Sequence, residues 1–71
     1  MGKRELIHPK YYAIDAYQIL AKKSDEDMAD ILGISVRTYK DKKTGYLDFS
    51  VQQGDTIARV LKRTKDEIFL T

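Results

Sequence analysis

The sequence predicts an all-α protein, a compact five-helix domain. Three observations carry this. Apolar residues recur at spacings of three and four, the period of a helix with one buried face. Ser24–Asp27, Ser50–Gln53 and Thr64–Glu67 each place a hydroxyl three residues before a side chain that can reach back, the pattern of a capped helix start. Strand signals are poor, with no turn dipeptide set between alternating runs.

Taken in order, residues 1–8 are polar at first, with Lys3 and Arg4, and are expected to form a flexible N-terminal arm. Pro9 suits a first helical turn, and KYYAIDAYQILAKK holds no breaker, so helix 1 is expected over 9–22, with Ala13, Tyr17 and Leu20 at helical spacing beside Ile14 and Ala21. Ser24 caps helix 2, expected over 25–32, where Asp25, Glu26 and Asp27 face the positive end of the helix dipole. Met28, Ile31 and Leu32 form its apolar stripe, and Gly33 ends it by accepting a positive φ. Ser35 caps helix 3, VRTYKDKK, which runs to Thr44-Gly45. After YLDF, helix 4 is expected over 51–62 with Ile57, Ala58 and Leu61 inward, and KDEIF supplies a short last helix.

At 71 residues the chain is expected to be one domain, 9–71 behind the arm. A domain of this size buries roughly 60% of its unfolded surface. With no cysteine, it has neither disulfides nor zinc-thiolate sites to add stability. No apolar run approaches the ~20 residues that cross a bilayer, and the start lacks the apolar centre of a signal peptide. A soluble, cytoplasmic protein without membrane contact is the expectation. The net charge of +2 is mild, but its distribution is uneven: DEDMAD is acidic and RTYKDKK basic.

Two short helices separated by GIS form a helix-turn-helix candidate. At about 100° per residue from Val36, Tyr39 falls at about 300° and is the one large apolar anchor of helix 3. Thr38 and Lys42 flank the inward side, so Lys42 is expected to bury its stem and snorkel. Val36, Arg37, Lys40 and Asp41 make the outward face. A short helix with exposed cations suits a DNA major groove, with Lys43 and Thr44 at the end where phosphates pass.

Residues 24–45 resemble the helix-turn-helix of phage Cro and repressor proteins, the XRE-type regulators. The pattern of these is roughly T-Q-x-x-[LV]-A-x-x-[LVI]-G-[IV]-S-x-x-T-[IVY]-x-x-[IW]-E-x-G. Ser24, Met28, Ala29, Leu32, Gly33, Ile34, Ser35, Thr38, Tyr39 and Gly45 stand in this register without a gap. Phe49-Ser50-Val51, Ile57-Ala58, Leu61 and Thr64 to Phe69 resemble the family's ending, so the likeness covers about residues 11–70. It implies a lambda-repressor-like fold and a sequence-specific transcriptional regulator of phage or prophage type, in a bacterial cell or phage-infected host. It also implies that helix 3 enters the major groove of double-stranded DNA. By position, Val36, Arg37 and Asp41, with Lys40 adjacent, would read bases. Ser35 and Thr44 would meet phosphates, and Lys42 and Lys43, beside Thr44, would add charge toward them that offsets Asp25. Arg37 can donate two hydrogen bonds to a guanine edge, and Val36 can pack on a thymine methyl. The chain departs from the pattern at Asp25, where a phosphate-contacting glutamine is usual, and at Lys42, where an apolar residue is usual. Lys43 and Gln18 replace a glutamate and an arginine that normally pair, so both halves of that pair are exchanged together. Ile68, Phe69 and Leu70 end the chain as an apolar run of which one or two must close the core, and the resemblance suggests a homodimer through the remainder. No second domain is expected, which makes the chain resemble Cro more than a full repressor.

Other residues have simpler readings. His8, the one histidine, has no cysteine or second histidine with which to bind metal. Capping explains Asp25 to Asp27, and the tyrosines suit half-buried packing with wet hydroxyls. No nucleophile–base pair, phosphate loop or cofactor motif is present, so no enzyme and no cofactor are expected. The acidic helix 2 motivates one alternative: a protein-interaction module on the same scaffold, such as an antirepressor or excision accessory factor.

Overall fold

The expected helices are all found in a computed structural model, whose described residues are 4–69: α1 (Tyr12–Ala21), α2 (Asp25–Leu32), α3 (Val36–Thr44), α4 (Val51–Leu61) and α5 (Lys65–Phe69), with no strand among those residues. Each helix sends at least one side chain to a shared core: Ile14 from α1, Met28 and Ala29 from α2, Tyr39 from α3, Ile57 and Leu61 from α4, and Ile68 from α5. The Cα radius of gyration is 11.6 Å, close to the ~11 Å of a compact chain of this length. Among the described residues no helix is long and apolar enough to cross a membrane.

Local chemistry sets most boundaries. Ser24 Oγ accepts the Asp27 amide, and the Asp27 carboxylate accepts the Ser24 amide. Ser50 and Gln53 do the same at α4, and Thr64 and Glu67 at α5. Asp27 and Glu67 titrate below the usual carboxylate range because each accepts a backbone N–H at the cap. Gly33, at φ 71°, turns the chain between α2 and α3. Gly45, at φ 123°, ends α3 against the backbone of His8, where a Cβ would strike the carbonyl oxygen.

The N-terminal region departs from expectation. Helix 1 begins at Tyr12 rather than Pro9, because the preceding backbone bonds to the end of α3 instead of starting a helix. The Ile7 amide donates to Gly45 O at 2.7 Å and the Tyr11 amide to Lys43 O at 3.0 Å. The His8 ring stacks on Tyr11 at 4.1 Å, and its Nε2 lies 2.7 Å from the Leu47 carbonyl oxygen. Residues 4–8, expected as a loose arm, thus lie against the α3–α4 connection, and Lys3 is outside the described residues.

The faces of α1 and α5 also need correction. Gln18 is buried, while Leu20, expected inward, is 70% exposed. Ile68 is wholly buried in the core and Phe69 half-buried against it, so Ile68 has no surface to offer a second subunit. Phe69 packs on Tyr11 and Phe49, and Gly54 leaves room for its ring. Leu70 lies outside the described residues.

Candidate nucleic-acid interface

Helix α3 is held from below and open above. Its start is fixed by Ser35, whose Oγ accepts the Thr38 amide at 3.1 Å and whose hydroxyl lies 2.9 Å from Thr38 Oγ1. Ser35 stays exposed at this helix N-terminus, where unpaired backbone N–H groups favour an anion. Arg37 and Lys40 are exposed, and neither has an ion-pair partner among the described residues. Thr44 is half-buried at the other end.

Four of the expected contact residues are placed differently. Val36, read as outward, is half-buried against the core. Asp41 faces out but is engaged: Arg4 reaches its carboxylate at 2.9 Å while stacking over the Tyr46 ring at 4.1 Å. Lys42 places its Nζ 6.0 Å from the centre of the Phe49 ring and donates from it to the Asp48 carbonyl at 2.8 Å, tying α3 to the next loop.

Lys43 differs most. Expected at phosphate, it is 6% exposed and turned inward. Its ammonium lies 2.6 Å from Asp15 Oδ1 and 2.6 Å from Asp25 Oδ1. Helical arithmetic explains the placement: seven residues after Val36, Lys43 returns to within about 20° of it, on the Tyr39 side. Its cation therefore had to be met from inside. Gln18 completes the cluster, donating from Nε2 to Asp25 Oδ1 at 3.0 Å and accepting from the Tyr39 hydroxyl through Oε1.

Three departures from the regulator pattern, Gln18, Asp25 and Lys43, thus meet at one carboxylate. Burial alone would push the Asp25 carboxyl up, but hydrogen bonds from Lys43 and Gln18 outweigh it and hold the group below its ordinary range. The Tyr39 phenol is pushed up by burial and by the charges of Asp25 and Asp15, so it remains a hydrogen-bond donor. Sequence reasoning marked Gln18 and Lys43 as a linked exchange but missed Asp15, whose contact spans the chain from α1 to α3. The signal available was the period that puts Lys43 beneath the helix with Tyr39.

Compared with known proteins, the chain matches no family model, no curated protein and no solved structure.

Proposed function

We propose that the protein is a sequence-specific, double-stranded-DNA-binding regulator of Cro-like type. In this reading α2, the Gly33-Ile34-Ser35 turn and α3 act as a helix-turn-helix, and α3 lies in the major groove. The observation that carries the reading is the division of α3: Tyr39 and Lys43 anchor it from inside, while Arg37 and Lys40 project with their charges unspent. A helix firmly seated by one face, with cations on the other, loses little flexibility on docking and offers donors to base edges and phosphates. Arg37 reads a base pair, most simply a guanine. Lys40 supports it, and the exposed start of α3 at Ser35 meets a phosphate. Lys42 and Thr44 flank the backbone at the helix end. No chemistry is performed on the DNA; control comes from occupancy.

Asp25 pairs with Lys43 and Gln18, which limits the repulsion a bare carboxylate would exert on DNA at the start of α2. The same pairing accounts for Asp25 within the fold and leaves the protein-partner alternative to the exposed Glu26 and Asp30 of α2.

Selection of bound duplexes from a random pool at two salt concentrations tests the proposal. The expected result is one enriched motif whose affinity falls steeply as salt rises, because each phosphate contact releases counterions. Recovery of no motif at low salt would refute it.

A further inference from the structure

A second surface lies where the C-terminal ends of α1 and α4 meet the flank of α2. It is a groove of about 680 Å³, and no residue of α3 lines it. Its floor is apolar, made by Leu20, Ala21, Ile31, Val60 and Leu61. Leu20 is 70% and Ile31 43% exposed, and Ile19 beside them is 77% exposed. Its rim is basic, with Lys23, Lys62 and Arg63, and no Asp or Glu lines it. Arg63 lies over the Tyr17 ring at 4.6 Å and reaches Glu67 at 3.7 Å. Lys23 and Lys62 have no ion-pair partner among the described residues.

We propose that this groove docks an acidic amphipathic helix of a partner protein. Charge complementarity selects the occupant. An apolar floor gains nothing from phosphates, so a nucleic acid would leave it bare. A membrane meets a surface with acyl chains of no fixed spacing, whereas this surface is a groove of about 680 Å³ with cations on its rim. An amphipathic helix fills a groove with apolar side chains at helical spacing, and carboxylates on its flanks would meet Lys23, Lys62 and Arg63.

The backbone supports a role for the rim. α1 and α4 end in left-handed residues, and both are lysines: Lys22 and Lys62, each at φ 56°. Glycine adopts that conformation without the clash a Cβ brings. Of the two, Lys62 lines the groove, so the chain keeps a cation on the rim there at the expense of backbone strain.

The test is an amide NMR titration of the whole chain with a synthetic helix of about 15 residues, leucine on one face and glutamate elsewhere. Saturable shifts confined to the groove residues are expected, with no such shifts from the same peptide carrying lysine for glutamate. Ile31→Glu should weaken binding about tenfold or more. Lys62→Gly should melt no lower than the parent yet bind about threefold more weakly, an effect that loss of folding cannot mimic. The proposal is overturned if the glutamate peptide shifts no groove residue or the lysine peptide binds as well. It is also overturned if anionic vesicles or duplex DNA move these residues more than the peptide does, or if sedimentation shows a second copy of the chain occupying the groove.

Discussion

Lys43 and Arg37 stand six residues apart on one helix and carry the same charge, yet they meet opposite fates. Lys43 is enclosed beneath α3 between Asp15 and Asp25. Arg37 stands on the exposed side without a carboxylate partner among the described residues. The basic run RTYKDKK is therefore two things: a structural cation that holds the helix down, and exposed cations, Arg37 and Lys40, without carboxylate partners among the described residues. Charge counted along the sequence cannot separate them; direction around the helix can.

The contrast breaks most visibly at Lys43. Removing one partner of a buried ion pair costs about 3–5 kcal/mol. Because both carboxylates here keep some solvent, Lys43→Met should cost about 2–4 kcal/mol in urea unfolding. Arg37→Ala, at an exposed position, should stay within about 0.5 kcal/mol of the parent. Equal losses for the two would erase the distinction.

Tyr39→Phe should cost about 1–2 kcal/mol, since it keeps the ring but strips Gln18 Oε1 of its donor. Thermal melting of the variant checks this, and a melting point unchanged from the parent would mean that the hydroxyl adds nothing to the anchor.

Acid should loosen the same underside. Asp25, Asp27 and Glu67 have folded-state values below their unfolded ones. Their contribution is complete above the unfolded value of about 4 and drains away as pH falls through the lower folded values. Melting temperature should hold from neutral pH to about 5 and decline below about 4, and Asp25→Asn should soften that decline.

The smallest effect belongs to Arg4. Its exposed pair with Asp41 is screened by solvent and adds little to stability. Arg4→Ala also leaves a bare carboxylate on the outer face of α3, so DNA binding should weaken more than stability does. Asp41→Asn in the same chain should restore most of the binding, as salt-dependent titrations would show.

The sequence disclosed what depends on near neighbours. The starts of α2, α4 and α5 follow from Ser24, Ser50 and Thr64, each bonded three residues ahead, and Gly33 and Gly45 mark their turns through backbone freedom. What stayed hidden depends on distant partners. Pro9 signals a helix start, but the residues around it bond to Gly45 and Lys43. Leu20 and Gln18 exchange places because Gln18 has Tyr39 and Asp25 to satisfy its amide. Which of Ile68, Phe69 and Leu70 closes the core is settled for Ile68 only when α5 folds against α1 and α4. At the candidate interface, the exposure of Arg37 and Lys40 was legible from helical arithmetic. The inward turn of Lys43 was legible too, had the arithmetic been carried one residue further.

The central claim is that the outer face of α3 reads DNA through Arg37 while the inner face only supports it. Fluorescence anisotropy on the selected duplex and a scrambled one, with parent and Arg37→Ala protein at one salt concentration, tests it most directly. The affinity ratio between the two duplexes is expected to shrink by roughly 5- to 100-fold in the variant. An unchanged ratio would contradict it.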